Sequence, residues 1–377
     1  MNFYAITSEF NPFHTGHKYL IEQTKKKTLT DAVVCIMSGS MVQRGDVAVF
    51  DKWTRAKAAV QNGIDLVVEL PVCYVLQSAD IFARGAVEIA NALGCQGISF
   101  GSECTDTSLI YKMAELKQNE PPEYRNALKK YLDSGLGYPA ACEKAARDFL
   151  GEIPQEITMP NTTLGISYIS AVKKINPNIK IHIEKRLGSY HSDTIGEDFA
   201  SASALRKILL SGDKIQDYLL CTNDEIYDIN NISSLILGFF RMAKEECLKN
   251  ISGMEEGLAA RLIQKSRETG NLTDFFDACV TKRYTLHRIR RVVLCSILGI
   301  TSIPSASYIR VLALNSTGAK ILKQAKDTCP LEVITKIPNC NQKTNPMLLK
   351  DILSTDIAAL CVGKSASLDY TTTPIIL

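Results

Sequence analysis

Residues 3–20 read Phe3-Tyr4-Ala5-Ile6-Thr7-Ser8-Glu9-Phe10-Asn11-Pro12-Phe13-His14-Thr15-Gly16-His17-Lys18-Tyr19-Leu20. The apolar run at Phe3–Ile6 predicts a short buried strand. The segment Glu9–Phe13, with its Asn-Pro pair, predicts a tight turn. Lys18, Tyr19, Leu20 and Ile21 open a helix. Strand, turn and helix in this order set a helix N-terminus beside the carboxyl end of a strand, a corner whose free N–H groups suit a phosphate. Gly16 has no Cβ and lets a ligand lie close to the backbone. His14 and His17 on either side can donate hydrogen bonds where negative charge develops.

Further along, the same alternation repeats. Strands are expected at Asp31–Met37, Asp65–Leu70, Gly97–Phe100 and Lys180–Lys185, with helices at Asp51–Asn62, Gln77–Leu93 and from Asn161 onward. Short apolar strands alternating with helices point to an α/β fold with a Rossmann-like parallel sheet covered on both faces. Residues 105–150 are helical and polar, interrupted by Pro121-Pro122 and by Gly135 and Gly137, and read as a helical insertion. After Gly212 no further strand is expected. Helices over Ile232–Leu248, Met254–Glu268 and Tyr284–Leu298 dominate, so residues 1–212 read as one domain and 213–377 as a mostly α-helical second one. The last residues, Thr371–Leu377, read as a loose or docked tail.

Composition bounds the functional class. The chain has 377 residues, 46% apolar and 22% charged, as in ordinary globular proteins. No apolar run is long enough to span a membrane, and no signal peptide is evident at the N-terminus. Twelve cysteines are scattered without a Cys-x-x-Cys pair, several inside apolar runs. They are expected to be reduced and mostly buried, as in a cytoplasmic protein, and to form neither a disulfide framework nor a zinc site. Residues 1–200 carry 21 Lys and Arg against 23 Asp and Glu, whereas residues 201–377 carry 22 against 17. A basic second half beside a neutral first half is compatible with a polyanionic partner.

Other polar groups fall at strand or helix ends. Ser201-Ala-Ser-Ala-Leu-Arg206 begins a helix, where Ser201 can cap and Arg206 can neutralise a phosphate. The loop after the second strand carries Gln43 and Arg44, followed by Lys52 and Arg55. These four could hold a small anion or a triphosphate, although Lys52 and Arg55 fit a solvated helix face equally well. Gly101, Asn161 and Arg186 lie at the edge where open α/β sheets bind ligands.

The His14-Thr-Gly-His17 stretch resembles the His-x-Gly-His signature of the nucleotidyltransferase superfamily, and Ser201–Arg206 resembles that superfamily's Ser-Ser-Thr-x-x-Arg type motif. A closer resemblance rests on six stretches in order: residues 9–17, Gln43-Arg-Gly45, Val68-Glu-Leu-Pro71, Phe100-Gly-Ser-Glu103, Pro160-Asn-Thr-Thr-Leu-Gly-Ile-Ser-Tyr168 and Thr281-Lys-Arg-Tyr-Thr285. Together they resemble the tRNA(Met) cytidine acetate ligase family along essentially the whole chain. Thr15 and Thr162 stand where the family pattern usually has Asn.

The resemblance implies activation of acetate by ATP to acetyl-adenylate, then transfer of the acetyl group to N4 of the wobble cytidine of elongator tRNA(Met). It implies ATP contacts at residues 7–20, Gly101, Asn161, Arg186, Ser201 and Arg206, with His14, His17 and Lys18 at the reacting phosphate. Mg²⁺ is expected with ATP, although no carboxylate cluster in the sequence marks its ligands. No obligatory protein partner and no membrane are expected.

Lys282-Arg-Tyr-Thr-Leu-His-Arg-Ile-Arg-Arg291 is the basic segment of the second half. If helical from Tyr284, it sets Tyr284, Arg288 and Arg291 on one face, so Lys282, Arg283, Tyr284, Arg288, Arg290 and Arg291 are expected to meet tRNA. Two other classes fit parts of the sequence. A small-molecule adenylyltransferase needs no long basic second half. A non-catalytic RNA-binding protein needs no intact His-Thr-Gly-His.

Overall fold

The computed structural model describes residues 1–186, 201–212, 219–337 and 345–377. Ten strands are described: β1 (Phe3–Ser8), β2 (Ala32–Ser38), β3 (Met41–Val42), β4 (Asp46–Val47), β5 (Leu66–Leu70), β6 (Gly97–Ser102), β7 (Lys180–Lys185), β8 (Tyr308–Leu314), β9 (Glu332–Ile334) and β10 (Ile375–Ile376). The main sheet runs β10-β8-β5-β2-β1-β6-β7, with β9 beside β8, while β3 and β4 form a small hairpin. Residues Ala32–Ser38 and Leu66–Leu70 are buried throughout, as strands covered on both faces must be.

Chain order explains where a ligand fits. From β1 the chain moves outward through β2 and β5, then returns to the other side of β1 for β6 and β7. All four pairings are parallel, with Tyr4 opposite Val33 on one side and Gly97 on the other. The carboxyl ends of β1 and β6 therefore flank the point where the winding reverses, the usual crevice of an open α/β sheet.

The expectation of no strand after Gly212 is corrected. Tyr308–Leu314 is a fully buried strand lying antiparallel to β5, with Leu66 opposite Leu314. The tail also docks, as Ile375 and Ile376 pair with Ala313 and Leu314. Residues before and after Gly212 thus share one mixed sheet. The remainder of the second half is helical, including Ser233–Met242, Leu258–Glu268 and Leu286–Leu298. No helix among the described residues is long and apolar enough to cross a membrane.

Two buried basic side chains tie elements together, Lys52 across Gly212 and Arg55 within the first part, and their setting corrects the expectation that Lys52 and Arg55 serve an anion. Both are fully buried on the helix Lys52–Gln61. Lys52 Nζ donates to Glu69 on β5 at 2.9 and 3.0 Å and lies 2.8 Å from the Asp369 carboxylate in the C-terminal segment. Arg310, equally buried on β8, lies 3.3 Å from the same Asp369. Arg55 is spent on backbone carbonyls: Nε donates to Phe50 at 3.0 Å, Nη1 to Glu9 at 2.6 Å and Ser38 at 3.0 Å, and Nη2 to Gly39. Removing one partner of a buried ion pair leaves a charge without compensation. Asp369→Ala is therefore expected to lower the unfolding free energy by about 3–5 kcal/mol, as a fall in the urea midpoint would show.

Candidate active site

The helix Thr15–Thr28 begins on an unusual cap built from both histidines. His14 is the N-cap, and its Nδ1 accepts from Gly16 N–H at 3.1 Å. His17 Nδ1 accepts from His14 N–H at 3.2 Å, closing a reciprocal capping box. A Cβ on Gly16 would sit 2.9 Å from His14 Cε1, so glycine is what lets that ring fold back over the helix start. The rings lie 3.9 Å apart, tilted by 35°. Phe10 and Phe13, both buried, back His17 at 5.0 and 5.6 Å.

The cap fixes the chemistry of both rings. Burial holds His14 far below its ordinary value, at about 3, and the Arg186 and Arg206 charges add to this. His17 is also held well below its ordinary value, by burial, then by His14 and Arg186. Both imidazoles are neutral near pH 7. With Nδ1 accepting from the backbone, the proton of each ring resides on Nε2. The pair thus offers two neutral Nε2–H donors at the positive end of a helix.

Cationic side chains converge on this corner. Arg206 Nη1 donates to Asn11 O at 2.7 Å and Nη2 to Ser203 Oγ at 3.0 Å. Arg44, between β3 and β4, reaches the same Ser203 Oγ at 3.4 Å. Ser203 is therefore the bridge between the two arginines, although its alanine neighbours made it inconspicuous in the sequence. Ser201 caps the helix Ala202–Leu210 through Ala204 N–H at 3.1 Å. Glu9 lies among Arg206, Arg44 and Arg55. Burial pushes its carboxyl above the ordinary range against the pull of the Gln43 N–H, which it accepts at 2.6 Å, and of those arginines.

The rest of the turn shapes the corner. Thr7 and Ser8 end β1, and Ser8 Oγ accepts from Phe10 N–H at 3.3 Å. The Asn11–Pro12 peptide is cis, and Asn11 Oδ1 accepts from Val49 N–H at 2.8 Å. Thr15 Oγ1 is buried without a hydrogen-bond partner among the described residues. Lys18 is exposed, Tyr19 reaches Glu184 at 3.3 Å, and the Leu20 carbonyl accepts from Thr24. Across the crevice, Gly101 lies under the Arg186 side chain, and Asn161 begins the helix Pro160–Ile175 two residues in. Glu103 joins them: its carboxylate accepts from Asn161 Nδ2 at 2.5 Å and lies 3.7 Å from Arg186.

The basic segment differs from its sequence reading. The helix starts at Leu286, so Tyr284 precedes it and is buried, with Arg283 and Arg288 over its ring at 5.5 and 5.1 Å. Both arginines pair with Glu255. Arg290 pairs with Asp46 at 2.7 Å and Arg291 Nη1 donates to Gln43 O at 3.3 Å, fastening the helix to the hairpin that carries Arg44. Gly45, at φ +76°, has no room for a Cβ: one would meet Arg291 N at 2.5 Å and Arg290 C at 2.7 Å. Of the lysines and arginines in the segment, Lys282 and Arg283 are the exposed ones.

The histidine values carry a pH signature. His14 titrates at about 3 when folded against an ordinary 6.5, so the unfolded chain binds the proton first as pH falls. Its contribution is complete above about 6.5 and is lost on the way down to about 3. His14→Asn keeps a capping side chain and removes the titration. Between pH 7 and pH 5 the variant is expected to lose about 2 kcal/mol less stability than the wild type, as urea midpoints at the two pH values would show.

Comparison with known proteins bears on this arrangement. The HIGH Nucleotidyl Transferase family model matches residues 1–371. A tRNA(Met) cytidine acetate ligase of Clostridium perfringens (strain SM101 / Type A) is 34% identical over 100% of both chains. One of Thermoanaerobacter sp. (strain X514) is 35% identical over 98% of both. A crystal structure of Thermotoga maritima TmcAL bound with alpha-thio ATP superposes with a TM-score of 0.89 at 28% identity, and its apo form with 0.92, each over 100% of both chains. A histidine-capped helix at the reversal point of an α/β sheet and full-length relatives of one kind agree: the chain belongs to the HIGH nucleotidyl transferase family and to the tRNA(Met) cytidine acetate ligases within its reach.

Proposed function

We propose that the protein is an ATP-dependent ligase that activates acetate and transfers the acetyl group to N4 of the wobble cytidine of elongator tRNA(Met). The observation that carries the reading is the neutral His14–His17 pair with its Nε2–H donors at a helix N-terminus among Arg44, Arg186 and Arg206. Such a corner stabilises charge on a phosphate and needs no protein nucleophile.

In the first step a carboxylate oxygen of acetate attacks the α-phosphorus of ATP, and the bond to the pyrophosphate oxygen breaks. His14 and His17 donate to the phosphoryl oxygens, while Arg206 and Arg44, joined through Ser203, neutralise the leaving pyrophosphate. Lys18, exposed at the first turn, assists from the rim. In the second step the cytidine amine attacks the acetyl carbonyl, AMP leaves, and the amine loses one proton.

Among the described residues no group of three or more His, Cys, Asp or Glu forms a metal cage. Mg²⁺ would be carried by the phosphates of ATP, this ion's common mode. A cytoplasmic setting belongs to the same reading, since ATP and tRNA meet there.

For tRNA we favour the exposed Lys282 and Arg283, with Arg288 beside them. Arg290 and Arg291 instead hold the hairpin, and Tyr284 is packed inside.

Incubation with ATP, labelled acetate and total tRNA, followed by nucleoside analysis, tests the whole reading. Label in N4-acetylcytidine supports it, and transfer of AMP to a phosphorylated cofactor precursor instead would favour a small-molecule adenylyltransferase. His17→Ala is expected to slow acetate-dependent pyrophosphate exchange by about 10² or more, as loss of a transition-state donor does. Lys282→Ala with Arg283→Ala is expected to weaken tRNA binding and to flatten its salt dependence by roughly two phosphate contacts. ATP-dependent exchange without tRNA should stay near wild type in that double variant. Filter binding at two salt concentrations beside the exchange assay measures both.

A further inference from the structure

Glu103 lies just beyond the carboxyl end of β6, on the lip of the crevice opposite the histidines. Four donors from three residues are directed at its carboxylate. Asn161 Nδ2 donates to Oε1 at 2.5 Å, Thr162 N–H and Oγ1 donate to Oε2 at 2.9 and 3.1 Å, and Arg186 Nη1 lies 3.7 Å from Oε1. Thr162 is itself locked, because its fully buried hydroxyl also meets Ser102 Oγ at 2.9 Å and accepts from Cys104 N–H at 3.1 Å. Glu103 is thus held on one side by a rigid strand end and engages Asn161 and Arg186 on the other.

This contact decides which way the Asn161 amide points. An amide carries a donor and an acceptor of nearly equal shape. The opposite orientation would set Oδ1 against a carboxylate oxygen at 2.5 Å, two acceptors with no proton between them. Nδ2 must therefore face Glu103, and Oδ1 is turned away from it as an acceptor.

Resting on the ATP-dependent reading above, we propose that Glu103 is a positioning residue that makes the nucleotide site selective for a 6-aminopurine. By holding the Nδ2 of Asn161 it presents Oδ1 to the base as an acceptor, and adenine answers with its 6-amino group. A 6-oxopurine offers a carbonyl at that place and meets acceptor with acceptor, which a site built to hydrogen-bond its substrate rejects strongly. The same carboxylate holds Arg186 across Gly101, toward the histidine pair whose proton affinity that arginine lowers.

Glu103 has a second, purely architectural role that the test must separate. The helix Pro160–Ile175 starts without a side-chain cap of its own, and Glu103 Oε2 supplies one through Thr162 N–H. Glu103→Gln keeps an acceptor for that N–H but has a donor of its own to offer Asn161, so the amide is free to turn. Glu103→Asp keeps the charge near the helix start and withdraws it by one methylene from Asn161.

The experiment is equilibrium binding of ATP and of inosine triphosphate to the full chain without acetate, alongside thermal unfolding. The wild type is expected to prefer ATP. E103Q is expected to reduce that preference by about tenfold or more, the usual scale for a hydrogen bond that discriminates, and E103D to fall between the two. If E103Q proves unfolded, E103D alone decides. Lowered thermal stability with an unchanged ATP-to-inosine-triphosphate ratio makes Glu103 a helix cap only and overturns the proposal. A wild type that binds both nucleotides alike overturns it too, while leaving the ATP-dependent reading intact. A wild type that binds neither removes that reading and this one with it.

Discussion

The guanidinium of Arg55 is the contact on which the arrangement of the site depends. One buried side chain donates to the carbonyls of Glu9, Ser38, Gly39 and Phe50. These lie where the chain leaves β1, where it leaves β2 and where it enters the next helix. Loop carbonyls at strand ends lack ladder partners, and burial without a donor would be costly. Arg has enough donors in a fixed fork to satisfy several of them together. With Arg55 in place the Glu9–Phe13 turn has a defined path, and the histidine cap that follows inherits it. The ammonium of Lys52, three residues earlier on the same helix, does comparable work one layer deeper by joining β5 to the C-terminal segment.

Legibility in the sequence follows from how local each contact is. The strands β1, β2, β5 and β6 are short apolar runs followed by turn or capping residues, and β7 alternates isoleucine with polar residues, so their patterns can be read without knowing their neighbours. The histidine corner is legible for the same reason, because strand, turn and cap lie within residues 3–20. Lys52 and Arg55 were not. A lysine and an arginine near a helix start look solvated until Asp369 and the carbonyls of β1 and β2 are brought alongside. Arg310 in the middle of β8 hides that strand in the same way, since its partner lies 59 residues downstream. Tyr284 looked like the first turn of a basic helix, but Thr285 is the N-cap and the ring packs under Arg283 and Arg288. Glu103 stood inside a recognised stretch, yet nothing local told that three residues would direct donors at it.

The two lips of the crevice divide the work by charge. On the β1 side the histidines are kept neutral and the arginines are tied by Ser203, so positive charge is available without a proton that comes and goes near neutral pH. On the β6 side a carboxylate gathers Asn161, Thr162 and Arg186. The histidine and arginine donors and the fixed amide are therefore set by different strands, and sheet order brings those strands side by side.

The antiparallel pairing of β5 with β8 bears on how the chain is made. During synthesis β5 emerges early, but the strand that covers its outer edge lies about 240 residues later. Until then a strand of Leu-Val-Val-Glu-Leu keeps an open, apolar edge, with the Lys52 ammonium beside it lacking Asp369. Such an edge invites pairing with another nascent chain. The fold is thus completed from its far end, and a ribosome that stalls before residue 308 would release a sheet with its most hydrophobic border unguarded.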